Sequence, residues 1–196
     1  MSKVLGPIHY WLYGKIENQE ELTRAVAEKA IADGKITSAD EYTKVLPPLE
    51  AVIDESNIHG WLQAQIADSE GRFAKLVTAL LDDDVTYLVN ICGAAHDFGA
   101  KHAISAEAGA DEAYKAFDDF FVNGMPCDRV NDVSERTPER TAWSLTQDVH
   151  AANWPDGDTD TYYTVRLSAM DGMLDGTRLE IEMPDAEHYI IKLKEA

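Results

Sequence analysis

The sequence predicts an α+β fold: a helical N-terminal half with a degenerate repeat, followed by a four-stranded antiparallel sheet with one long helix. Three observations lead there. The motif Ile-His-x-Trp-Leu-x-x-x-Ile occurs at residues 8–16 and again at 58–66, each copy with a glutamate eleven positions after its histidine, Glu20 and Glu70. Apolar residues then keep a helical period up to Val122. Beyond Met125-Pro126 the pattern changes to short alternating runs separated by turn residues.

The first helix is predicted over residues 7–33, from Pro7, which suits a first turn, to Gly34, which suits a stop. Thr37 or Ser38 is expected to cap a short helix ending before Pro47-Pro48. Ser56 or Asn57 is placed to cap a helix running to Leu81. Asp82-Asp83-Asp84 would then head the next helix, where negative charge complements the helix dipole. That helix, 85–105, carries Gly93, Ala94, Ala95, Gly99, Ala100 and Ala103. Such a surface lets another backbone approach closely and is expected to be central. An amphipathic helix over 111–122 completes the first half.

In the second half, residues 130–133 and 142–149 read as strands around a turn-rich stretch, and 161–174 as a helix. Residues 179–183 and 189–193 read as a closing hairpin around Pro184-Asp185. The chain is taken as one domain over 1–196, with a helical half over 1–124 and an α+β half over 125–196.

A net charge of −19, from 36 acidic and 17 basic residues, opposes the phosphate contacts on which nucleic-acid affinity rests. No apolar run reaches the ~18 residues of a membrane span. The N-terminus lacks a signal-peptide layout, and the two cysteines, Cys92 and Cys127, form no disulfide framework. The expectation is a cytoplasmic protein with no nucleic-acid or membrane partner, for which a homo-oligomer is an open state.

At about 100° per residue, eleven steps return almost to the starting direction, so each histidine shares a helix face with its glutamate. His9, His59, Glu20 and Glu70 are therefore the candidate metal ligands, imidazole and carboxylate being what helical bundles use for iron or manganese. The plainer reading of the repeat is two similar core contacts left by a duplication. At the sheet, Asp148 and His150 are expected to alternate on a strand, the carboxylate orienting the imidazole as a general base. Cys127 is the candidate nucleophile within its reach. Tyr162 and Arg166, one helical turn apart, with Trp154, are the candidate ligand-binding residues, since arginine matches a carboxylate with two donors.

Tyr162-Tyr163-Thr164-Val165-Arg166, Gly172 and Leu179-Glu180-Ile181-Glu182 with the closing strand resemble the C-terminal helix-strand-strand unit of three ligand-handling groups. These are the 4-vinyl-reductase-like domains, the 2-amino-thiazoline-4-carboxylate hydrolase family and the haem nitric-oxide-binding domains. The resemblance implies an α+β ligand-handling domain over roughly 88–195. Tyr162-x-Thr164-x-Arg166 is similar to the motif that holds haem propionates, but Phe117-Asp118-Asp119-Phe120-Phe121 offers no proximal histidine. Haem is thus the weaker cofactor expectation and a transition metal the stronger, with the cofactor otherwise unknown.

The leading functional expectation is binding, and in an enzyme hydrolysis, of a small carboxylate-bearing or aromatic molecule in a pocket between helices and sheet. The alternatives are a metal- or haem-dependent redox or sensor protein using the paired histidines, and a non-catalytic structural or regulatory partner.

Overall fold

The computed structural model describes residues 5–195. Helix α1 (Pro7–Ala32) starts on Pro7, and His9 Nδ1 accepts the Gly6 N–H at 2.9 Å. The first turn thus gains a side-chain cap from a residue that the repeat had marked. Helix α3 (Ile58–Asp83) is capped by Asn57, whose Oδ1 accepts the Gly60 N–H at 3.2 Å.

The two helices run parallel, fifty residues out of phase and otherwise in step. His9 meets His59 with ring centres 6.2 Å apart, Tyr13 meets Trp61 at 5.9 Å, and Glu20 is paired with Arg72. Just past the ends, Lys35 reaches Asp83 and Asp84 at 3.2 and 3.3 Å. The buried residues Leu12, Ile16, Gln19, Thr23, Val26 and Ala30 recur as the buried Leu62, Ile66, Ser69, Phe73, Leu76 and Leu80. Their spacing alternates four and three, the a/d pattern of a parallel two-stranded coiled coil. The repeat is therefore an internal pair of zipper-like helices.

A parallel pair needs a connection that returns the whole length of a helix, about 39 Å for 26 residues. Residues 33–57 make that return through turns, bends and irregular chain, and the helix expected after Ser38 is a mere turn at Ala39–Thr43. The strap is pinned by Tyr13 Oη to the Pro47 carbonyl and Tyr10 Oη to Glu50, both at 2.8 Å, and includes the four-residue α2 (Leu49–Val52).

Of the three aspartates at 82–84, only Asp84 acts as a cap, accepting the Thr86 N–H at 3.0 Å to start a 3₁₀ turn over Val85–Tyr87. Asp82 and Asp83 belong to the last turn of α3, a correction to their expected place at a helix head. Helix α4 (Leu88–Ala100) follows and is shorter than expected at both ends. Its small-residue surface is central as anticipated. It crosses α6 (Thr159–Met173) so closely that a Cβ on Gly99 would lie 2.0 Å from the Ala169 carbonyl oxygen, and one on Gly172 2.1 Å from that of His96. Helix α5 spans Ala110–Phe120.

The sheet comprises β1 (Asn131–Arg136), β2 (Arg140–Leu145), β3 (Leu179–Asp185) and β4 (His188–Leu193), ordered β1-β2-β4-β3 and antiparallel throughout. On the central pair, Trp143 opposes Tyr189 with stacked rings 5.1 Å apart. One apolar cluster draws Leu22, Val26, Phe73 and Leu76 from the helical half together with Trp143, Tyr162, Tyr189 and Ile191 from the other, so the halves share a core. A second cluster, around Leu12, Ile16, Leu62, Ile66 and Val122, closes the N-terminal end of the helix pair. Among the described residues no helix is long and apolar enough to cross a membrane.

Candidate functional site

Where the helix pair meets the sheet half, a polar network is sealed in the core. Strand β2 ends at Leu145, not at 149, because the Asp148 carboxylate accepts the N–H groups of His150 and Ala151 at 2.9 and 3.1 Å and turns the chain. His150 consequently sits on a turn, fully buried, with its ring 4.2 Å from that of Tyr162. Its Nδ1 lies 3.0 Å from Glu70 Oε1, and its Nε2 lies 3.3 Å from Asn123 Oδ1. Asn153 donates to the other Glu70 oxygen at 2.7 Å.

The protons in this network follow from its donors. Arg166 can only donate, and its Nη1 lies 3.2 Å from Asn123 Oδ1, so that atom is an acceptor. His150 Nε2 must then carry a proton. One further proton lies between Nδ1 and the Glu70 carboxylate. Both imidazole nitrogens are thereby engaged.

The expected Cys127, His150 and Asp148 arrangement is corrected by this geometry. Asp148 does not orient the imidazole; it accepts backbone N–H groups and the Tyr163 hydroxyl, the latter at 2.9 Å, while Glu70 faces the ring. Burial, then the hydrogen bond to Asp148, holds the Tyr163 phenol well above its usual range. Cys127 is exposed, and its Sγ contacts Asp128 at 3.9 Å, leaving the thiol unpaired with the enclosed His150. Arg166, Tyr162 and Trp154 are also buried. Arg166 holds its guanidinium 5.4 Å from the Phe121 ring centre, and its Nε is buried without a hydrogen-bond partner among the described residues.

The metal quartet is corrected as well. The two histidines do approach, but Glu20 is taken by Arg72 and by the Lys44 N–H at 3.2 Å, and Glu70 by His150 and Asn153. His9 Nδ1 is occupied in capping α1, and His59 is exposed. Among the described residues no group of three or more His, Cys, Asp or Glu side chains is placed to hold a metal ion.

A cleft of about 380 Å³ opens between α1, α5 and the segment leading into β1, its wall including Trp11, Lys15, Tyr114, Asp118, Asn123 and Arg129. Asn123 joins the cleft to the buried network, donating through Nδ2 to Asn131 at 2.8 Å. Lys15 is only 3% exposed, yet it forms no ion pair or hydrogen bond through Nζ among the described residues; the amine lies 3.6 Å from the Trp11 ring centre. Burial brings its pKa down to about 8, with Arg166 adding to the depression and Asp118 and Asp119 opposing it. Trp11 is fixed by its Nε1–H donating to Asp119 at 3.0 Å. Arg129, on the rim, has φ 49°, the only positive value at a non-glycine position among the described residues. That conformation costs about 1–2 kcal/mol. Such strain is often stored at functional positions.

Sequence reasoning had passed over Lys15 and Arg129. A signal for Lys15 was present: the equivalent position in the second copy of the repeat is the uncharged Gln65. A positive charge added to one copy alone, one position before a seam residue, marks a place where the copies serve different surroundings. Scans against family models, curated proteins and solved structures found no match to this chain.

Proposed function

We propose that this protein binds a small carboxylate-bearing aromatic molecule in the cleft between α1, α5 and the segment leading into the sheet. The observation that carries the reading is the pairing of Lys15 and Arg129, two cations without a carboxylate partner among the described residues, with the Trp11 and Tyr114 rings in one concave wall. In a chain of charge −19 with acids in excess, cations left unpaired in a cleft are unexpected unless an external anion uses them. Lys15 supplies a partly desolvated charge, Arg129 a planar fork suited to a carboxylate, and the rings a flat apolar surface for the rest of the ligand. The amide of Asn123 provides a fixed polar contact, its orientation set by Arg166 from behind.

Benzoate, with benzamide as the uncharged control, tests the reading by heteronuclear NMR titration. Benzoate is expected to shift the Trp11 indole signal and the amides around residues 123–131, with benzamide at least about tenfold weaker, as loss of one charge-assisted contact implies. The double variant Lys15→Met, Arg129→Ala should lose the response while retaining the wild-type spectrum elsewhere. Equal binding of the two probes, or an unchanged titration of the double variant, would retire the proposal.

A further inference from the structure

We propose that the Lys15 amine is a nucleophile that captures 2-oxo acids as a protonated imine in this cleft. The inference rests on the binding reading above and adds a covalent step to it. Its geometric basis is that Lys15 Nζ is enclosed with the wall of the cleft, has no ion-pair or hydrogen-bond partner among the described residues, and sits 3.6 Å from the centre of the Trp11 ring. A lysine kept only for charge would be expected to reach solvent or an acid, and acids abound here. Enclosure is how proteins make a lysine reactive, by removing the water that favours its ammonium form. The effect is large: with its pKa near 8, about 300 times more of the free amine is present at pH 7 than for an ordinary lysine.

Each atom of the step has a place. The ammonium first gives one proton to the Asp118 carboxylate, which lines the same cleft. The free Nζ lone pair attacks the keto carbon; the C–N bond forms as the C=O π pair moves to oxygen, and that oxygen takes the Nζ proton by way of Asp118 or water. The carbinolamine then loses its hydroxyl as water, protonated by the Asp118 carboxyl, and the nitrogen lone pair completes C=N. The products are an iminium and one water, with no change in net charge and no redox reagent. The Trp11 face, already arranged beneath a cation, stabilises the iminium as it does the ammonium. The carboxylate of the oxo acid provides the anion for Arg129, which a simple aldehyde would lack.

The test is reductive trapping of the full-length protein with pyruvate or phenylpyruvate and cyanoborohydride at pH 7, followed by peptide mass mapping. Lys15 should carry the reduced adduct at up to roughly 300 times the yield at exposed lysines such as Lys75, the limit set by the difference in free amine. Benzoate should protect it, and Lys15→Arg should abolish it. An adduct spread evenly over the lysines, or none at Lys15, overturns the proposal. If benzoate still binds in that case, the amine chemistry alone fails; if benzoate binding is also absent, the cleft reading fails with it. Protection by benzoate is read on the wild-type chain, so a poorly folded Lys15→Arg variant leaves the outcome decisive.

Discussion

Glu20 and Glu70 stand at equivalent positions on two parallel helices, and almost nothing around them is equivalent. Glu20 faces across to Arg72 on the sister helix, at the edge of the strap, while Glu70 turns away from α1 and is enclosed by His150 and Asn153 of the sheet half. The same divergence separates His9, buried as a cap, from His59, exposed, and Lys15 from Gln65. A shared seam thus fixes how the helices pack, and the flanks have been adapted separately: α1 toward a cleft, α3 toward the second half of the chain. The positions that touch each other keep one spacing in both helices, while those that touch something else have different partners.

Truncating the two glutamates is expected to separate the two surroundings most widely. Glu70→Ala leaves His150 and Asn153 facing an emptied site in the core and is expected to cost about 3–5 kcal/mol of stability, as for one partner removed from a buried pair. Glu20→Ala removes a pair whose arginine side chain is 16% exposed and can rehydrate. About 1–3 kcal/mol is expected there. Urea unfolding followed by circular dichroism measures both. Equal losses would mean that the second half of the chain adds nothing to the anchoring of α3.

What could be read from the chain divides along the same line. The α+β class, the four antiparallel strands and the central small-residue helix follow from local periodicity and composition, and the structure has them. The repeat signalled two related helices, because seam residues must meet partners of the same kind at the same spacing. The partner of Glu70 was illegible, since an 80-residue separation from His150 leaves no local trace. Asp148 misled for a physical reason: its position two residues before His150 looked like strand alternation, when a carboxylate that captures backbone N–H groups ends a strand. Cys127 stood out by its chemistry and proves to be a surface residue, whereas Lys15, one of many charged residues by composition, carried only the contrast with Gln65 as a sequence signal and is marked in the fold by its burial.

The second contrast, Lys15 against Gln65, is measured by pH. A lysine whose folded pKa lies below its unfolded value binds fewer protons in the folded state, so stability rises with pH between about 8 and the ordinary lysine range. Below pH 8 the cost of the buried charge is fully present. Relief by pH 10 is expected to approach, but not exceed, about 3 kcal/mol, the equivalent of the full shift. Subtracting the profile of Lys15→Met removes the contribution of the tyrosines, Tyr163 and Tyr87 among them, whose raised pKa values act in the opposite direction at still higher pH. A Gln65→Met variant should have the wild-type slope. Parallel profiles for wild type and Lys15→Met would show that the amine is hydrated, which would also remove the basis for its reactivity.

The smallest effect concerns the seam itself, where both copies bury a polar residue at the same layer. Gln19 and Ser69 are at equivalent positions, both buried, and Gln19 Nε2 and Ser69 Oγ lack hydrogen-bond partners among the described residues. A polar layer in a coiled-coil seam usually lowers stability while fixing register and oligomeric state. Here both helices belong to one chain and a pinned strap already sets the register, so that benefit is largely redundant. Ser69→Ala is therefore expected to be neutral or to stabilise by up to about 1 kcal/mol, since the hydroxyl loses no partner on removal. The urea midpoint should move slightly upward with an unchanged slope. A clear loss of stability would mean that the seam, too, has diverged, with Ser69 bonded through a route that Gln19 does not share.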